Sequence, residues 1–120
     1  MMTNAQALHY LLMDGTLDAL DAKIILRLVG WALDRDWSVD VWDGEEYAVK
    51  EACTRDTIIQ ALLSTDEDQL IFRANGKKVG WISLVYGNEP GVVISDHSDN
   101  QAIRDLVDGV LQSLGVDVEA

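Results

Sequence analysis

Leu70-Ile71-Phe72-Arg73-Ala74-Asn75-Gly76-Lys77-Lys78-Val79-Gly80-Trp81 is the strongest local signal in this chain. Two runs rich in β-branched and aromatic residues flank Asn75-Gly76, the dipeptide that favours a type I′ turn because both its positions tolerate positive φ. A two-residue turn there pairs Phe72 with Val79 and Leu70 with Trp81, apolar against apolar. It also sets Arg73 opposite Lys78. Like charges directly opposed are destabilising, so an acid from elsewhere is expected beside them, with Asp66, Glu67, Asp68, Asp105 and Asp108 as candidates. The second strand continues through Ile82, Leu84 and Tyr86. Both its faces are apolar, which predicts a central strand covered on both sides.

Upstream, Ser38 to Lys50 reads as another antiparallel hairpin. A two-residue turn at Asp43-Gly44 would mix polar and apolar residues on each face. An odd loop, Trp42-Asp43-Gly44 with Gly44 left-handed, instead puts Val39, Val41, Tyr47 and Val49 on one face, and burial of one face selects that register. Thr54 to Ser64 has the apolar spacing of a helix, with Ile58, Ile59, Leu62 and Leu63 inward. Beyond the turn signal Gly87-Asn88-Glu89-Pro90-Gly91, Val92 to Ser95 forms a last strand. Ser98-Asp99-Asn100-Gln101 has capping-box spacing. The helix it opens carries Ile103, Leu106, Val107, Val110, Leu111 and Leu114 inward and stops at Gly115.

The N-terminal third is helical. Residues 4–14 form a short helix capped by Thr3 or Asn4, with Leu8, Leu11 and Leu12 as its stripe. A second helix runs from about Asp18 to Asp34. Its polar positions, Lys23, Arg27, Gly30 and Asp34, fall in one narrow stripe at about 100° per residue. The rest, from Ile24 to Leu33, is apolar over far more than one face needs. Either the first helix folds back across it through Asp14-Gly15-Thr16, or a second copy covers it in a two-fold homodimer through helix 18–34. The element order is ααββαβββα. It predicts an α+β domain: an antiparallel sheet of about five strands, an N-terminal helical hairpin, a middle helix and a C-terminal helix, all within one globular domain, 1–120.

Composition excludes several classes of function. Leu, Ile, Val and Phe make up 36 of 120 residues, which rules out a disordered chain. No run of apolar residues is long enough to span a membrane. Met1–Met13 lacks the basic start of a secretory signal, and one cysteine, Cys53, fits a reducing compartment, so a cytoplasmic location is expected. Cys53 itself reads as a buried space-filler. The net charge is −12. That argues against direct binding to nucleic acid or an anionic membrane, both of which need a basic footprint. The charge is uneven: residues 34–68 are net −8, whereas residues 69–88 hold Arg73, Lys77 and Lys78 and no acid.

No phosphate loop, nucleophile elbow or paired-cysteine metal spacing occurs, so neither a cofactor nor a metal is implied. His9 reads as a packed or surface residue of the first helix. Asp96-His97-Ser98-Asp99 is the single concentration of polar groups at a strand end. One reading makes His97 a general base oriented by Asp96 or Asp99, or makes the three a cation site; the blander reading is a turn of capping residues. Trp42 is flanked by Asp40, Asp43, Glu45 and Glu46. An aromatic ringed by acids suits a protein partner that supplies arginine; the alternative is a ring folded over the sheet edge. The sequence therefore points first to a non-enzymatic accessory or inhibitor domain that docks on a basic protein surface, with mimicry of nucleic acid as a special form. An enzyme or cation site at Asp96, His97 and Asp99, and a structural homo-oligomer, are the alternatives.

Overall fold

The computed structural model describes residues 1–116. Its elements follow the order ααββαβββα: α1 (Asn4–Leu12), α2 (Ala19–Asp34), β1 (Trp37–Trp42), β2 (Tyr47–Ala52), α3 (Arg55–Gln60), β3 (Glu67–Ala74), β4 (Lys77–Val85), β5 (Ile94–His97) and α4 (Gln101–Ser113). The strands form one antiparallel sheet in the order β2-β1-β3-β4-β5. β3 pairs with β1 rather than with β2, because α3 carries the chain back beneath the first hairpin.

Local chemistry explains the helix limits. Thr3 and Gln6 form a reciprocal capping box at the start of α1. Asp18 accepts the amide of Asp21 to open α2. α4 ends where Gly115, at φ 72°, turns left-handed and Val116 donates its amide to Leu111. α3 is shorter than its apolar spacing predicts. It ends at Gln60, and Leu63 adopts φ 69° so that its amide reaches Asp68 Oδ2 at 3.1 Å. The last turn tightens through the Ala61 and Leu62 amides on the Ile58 and Ile59 carbonyls, and the buried Asp68 carboxylate holds the chain just beyond it.

α2 is the centre of the helical layer. α1, α3, α4 and β1 all pack against it, and Ile24, Ile25, Leu28 and Val29 have no exposed surface. The first helix does fold back across α2. α4 crosses α2 with Trp31 lying over Gly109, where a Cβ would come within 2.9 Å of the indole. The sheet's inner face completes the core with Val39, Val41, Leu70, Phe72, Ile82 and Leu84.

The Asn75-Gly76 turn forms as expected, at φ 53° and 78°, with Arg73 opposite Lys78. We expect Gly76→Val to destabilise the fold by at least about 1 kcal/mol, because a β-branched residue resists positive φ. Chemical denaturation measures this, and an unchanged midpoint would refute the turn geometry.

Beyond Lys78 the hairpin departs from the simple pairing. Val79 is an extra residue, a β-bulge, so Phe72 faces Gly80, and Leu70 faces Ile82. A one-residue offset sends every later side chain of β4 to the opposite face. Gly80, Ile82, Leu84 and Tyr86 turn inward and are buried, while Trp81, Ser83 and Val85 turn outward and are half-buried. All the helices pack on the inner side. Coverage on both sides, expected from two apolar faces, is not supplied by the described residues, and Trp81 belongs to the open face rather than to the core pair with Leu70.

Candidate functional site

The uncovered face of the sheet carries the site. Strand register places Tyr47, Trp42, Gln69, Ser83 and Asp96 in one row across all five strands. The next row holds Asp40, Ile71 and Trp81, and the one beyond it Ser38, Arg73 and Lys78. Such rows form because directly opposed residues of antiparallel strands share a face.

Trp42 and Tyr47 form an edge-to-face pair with centroids 4.8 Å apart, a geometry favoured by the ring quadrupoles. Tyr47 is 39% exposed. It faces away from Val41 and Val49, because the bulge between Val41 and Trp42 separates them. The odd loop expected at Trp42-Asp43-Gly44 is in fact four residues, Asp43 to Glu46, with Trp42 still in the strand, closed by the Asp43 amide on the Glu46 carbonyl at 3.0 Å. Lys50 Nζ already lies 4.4 Å from the Tyr47 centroid, so this aromatic surface holds a cation of its own chain.

A cleft of about 280 Å³ opens beside Trp42. Gln69, Ser83 and Ser95 line it, with Glu67 and Asp96 supplying negative charge. Gln69 Nε2 donates to Ser83 Oγ at 3.4 Å along its floor. Glu45, Glu46 and Glu67 are all exposed at this end. The opposite end of the face is basic, with Arg73, Lys77 and Lys78 around the Asn75-Gly76 turn. The segmental charge asymmetry of the sequence therefore becomes a gradient across one surface.

The expected docking residues divide into three groups. Trp42, Glu45 and Glu46 are at the surface. Asp43 is too, but its Oδ1 accepts the amides of Glu46 and Glu45 at 2.8 and 2.9 Å. The Glu46 amide, then that of Glu45, holds its carboxyl below the usual range. Asp40, expected at the docking surface, is not at the surface at all but fully buried. Its Oδ2 accepts Arg73 Nε at 2.8 Å and its Oδ1 accepts the Glu51 amide at 2.7 Å. Asp40 is the acid that relieves the Arg73–Lys78 repulsion, which none of the five acids expected from sequence does. The hydrogen bond that Arg73 donates to Asp40, then the Asp40 charge, pushes the guanidinium pKa up. The other bond, from the Glu51 amide to Asp40 Oδ1, supports Glu51 at φ 49° in the bulge of β2.

The Asp96–His97–Asp99 segment does not assemble a base with a carboxylate orienter. Asp96 Oδ1 accepts the amide of His97, and His97 Nδ1 lies 3.0 Å from the Ser98 carbonyl. Asp99 pairs with Arg104. The capping box is also absent: Asn100 is the N-cap and makes no side-chain cap. Ser98 and Asn100 turn to β4 instead, where Ser98 Oγ accepts the Trp81 amide at 3.0 Å and Asn100 Nδ2 donates to the Val79 carbonyl at 3.0 Å. They reach β4 because Gly80 has no side chain. Cys53 is exposed rather than buried.

Two further acids are buried, although no local pattern marks them. Asp68 is 3% exposed and accepts the Tyr86 hydroxyl at 2.5 Å. Burial pushes its pKa up, and burial followed by the Asp68 charge pushes the Tyr86 phenol up. Asp21 is likewise buried, its pKa raised by burial, and it anchors the Gly91 amide at 2.9 Å. Among the described residues, no cluster of three or more metal-ligating side chains occurs, and no helix is long and apolar enough to cross a membrane.

Fold and face together define a small α+β protein with one helix-covered and one uncovered sheet face. No family model, curated protein or solved structure matches the chain.

Proposed function

We propose that this chain is a small, acidic, non-enzymatic binding protein that acts in the cytoplasm, as an accessory or inhibitor, by docking its open sheet face on a basic surface of a partner protein. The supporting observation is the Trp42–Tyr47 pair beside a cleft flanked by Glu67 and Asp96. Trp and Tyr concentrate binding energy when their surroundings exclude water, and the flanking carboxylates select a cationic side chain for the cleft. Lys50 on Tyr47 illustrates the geometry within the chain. Asp40 takes no part, being committed to Arg73.

The test compares an authentic partner's affinity for the wild type, for Trp42→Ala and for Glu45→Gln with Glu46→Gln. Truncating a central tryptophan is expected to cost at least about 2 kcal/mol of binding. The double neutralisation is expected to weaken binding less and to flatten its salt dependence, since exposed charges are screened. Equal affinity for all three proteins would place the interface elsewhere. Asp43 is left intact because its carboxylate holds the loop.

A further inference from the structure

A second surface has the opposite chemistry. Between α1 and α2 lies a groove of about 410 Å³, within the size range of small-molecule sites. Leu8 from α1 and Leu26, Gly30 and Trp31 from α2 form its apolar wall, all half-buried. Among the described residues, three bases, Lys23, Arg27 and Arg55, line it against a single acid, Asp34. In a chain with 21 acids and nine bases, this local reversal of sign distinguishes the groove from its surroundings.

The cations are not equivalent. Arg55 is committed to Asn4 and to the Met2 carbonyl, and lies 3.8 Å from Asp56. Arg27 places Nη1 2.7 Å from Ser113 Oγ, which steadies its side chain. Neither Lys23 nor Arg27 makes an ion pair among the described residues. They stand one turn apart on α2 and share a face. From Lys23 to Asp34 the groove follows α2 for roughly 16 Å, at about 1.5 Å rise per residue. One end is therefore a cationic clamp, the middle is apolar, and the far end carries Asp34 beside Arg55, whose guanidinium is already occupied by Asn4 and the Met2 carbonyl.

We propose that the α1–α2 groove binds an amphipathic monocarboxylate, with its carboxylate between Lys23 and Arg27 and its hydrocarbon body over Leu26, Gly30 and Trp31. Asp34 disfavours a second carboxylate at the other end. The site is separate from the Trp42 face, so the two readings stand or fall independently.

Decanoate below its micellar concentration is the probe, titrated into the full chain and followed by tryptophan fluorescence and calorimetry. The expected result is saturable binding with a Trp31 signal that Trp31→Phe removes. Lys23→Glu, at an exposed position, is expected to weaken binding about tenfold or more, the scale of one charge-assisted hydrogen bond. Decanol, lacking the charge, is expected to bind at least about tenfold more weakly than decanoate on the same grounds. Trp42→Ala is expected to bind decanoate as the wild type does. Thermal melts show that each variant is folded. Absence of saturation into the millimolar range overturns the proposal, as does equal affinity for Lys23→Glu. So does a concentration-dependent dimer, abolished by Leu26→Lys, that decanoate fails to dissociate, since the occupant would then be a second copy of this chain.

Discussion

Gly80→Val is expected to destabilise the protein by about 3 kcal/mol, the upper part of the range for overpacking a filled site. An ideal Cβ at this position would sit 2.4 Å from Ile103 Cγ1, 2.5 Å from Ser98 Oγ and 3.0 Å from Asn100 Oδ1. Each of those atoms belongs to the approach or first turn of α4, and Ile103 is fully buried. Relief would require the helix start to move off the sheet. The hydrogen bonds of Ser98 and Asn100 to β4 would stretch with it. Strand propensity predicts the reverse, because valine favours extended backbone and glycine does not. Urea denaturation decides between them. A midpoint unchanged or raised would show that α4 does not begin against β4. Gly30→Ala is the matched control. No atom lies within 4 Å of a Cβ there, and a helix interior gains up to about 1 kcal/mol from that change.

Asp40→Ala should have an effect of similar size, about 3 kcal/mol, the lower end for breaking a buried ion pair. The carboxylate is fully buried, whereas the Arg73 side chain remains 25% exposed and regains some hydration when its partner is lost. The loss includes the Glu51 amide, whose hydrogen bond supports a left-handed residue in the edge strand. Arg73→Leu alone leaves a buried carboxylate with only that amide. The double replacement is expected to cost clearly less than the two single changes added together, because removing both partners leaves no orphan charge. Strict additivity in a double-mutant cycle would show that the pair does not interact. Added salt is expected to change the wild-type stability little through this pair, since a buried carboxylate is poorly screened.

These two residues also mark the boundary of what sequence reasoning reaches. Asp40 sits among Asp43, Glu45 and Glu46 in a segment of net charge −8, and nothing local separates it from its neighbours. Its separation comes from β1 lying next to β3, a pairing between residues 33 apart, which brings Arg73 to it. Gly80 reads locally as a weak point in a strand. Its purpose depends on α4 returning across β4 more than twenty residues later. The bulge at Val79 is similar. Val79, Trp81 and Val85 are as apolar as Ile82, Leu84 and Tyr86 in pattern, so either set serves as the core face.

The Asp96–His97–Asp99 segment shows the converse. A polar cluster at a strand end invites a catalytic reading, but side-chain direction is not a property of spacing. Once Ser98 and Asn100 bind β4 and Asp99 turns to Arg104, the histidine faces a carbonyl.

The amino-acid pattern alone determined the α+β class, the order of the nine elements, the Asn75-Gly76 turn, the broad apolar arc of α2 and the polar stripe from Lys23 to Asp34. Those features follow from periodicity, turn chemistry and capping, which act over a few residues. Long-range packing fixes which face of β4 is buried, that Asp40 is an internal partner of Arg73, that Trp42 meets Tyr47 on an open face, and that the α2 stripe borders a groove. Each of these rests on contacts between segments distant in the chain, where competing arrangements differ by packing and pairing energies that no local pattern encodes.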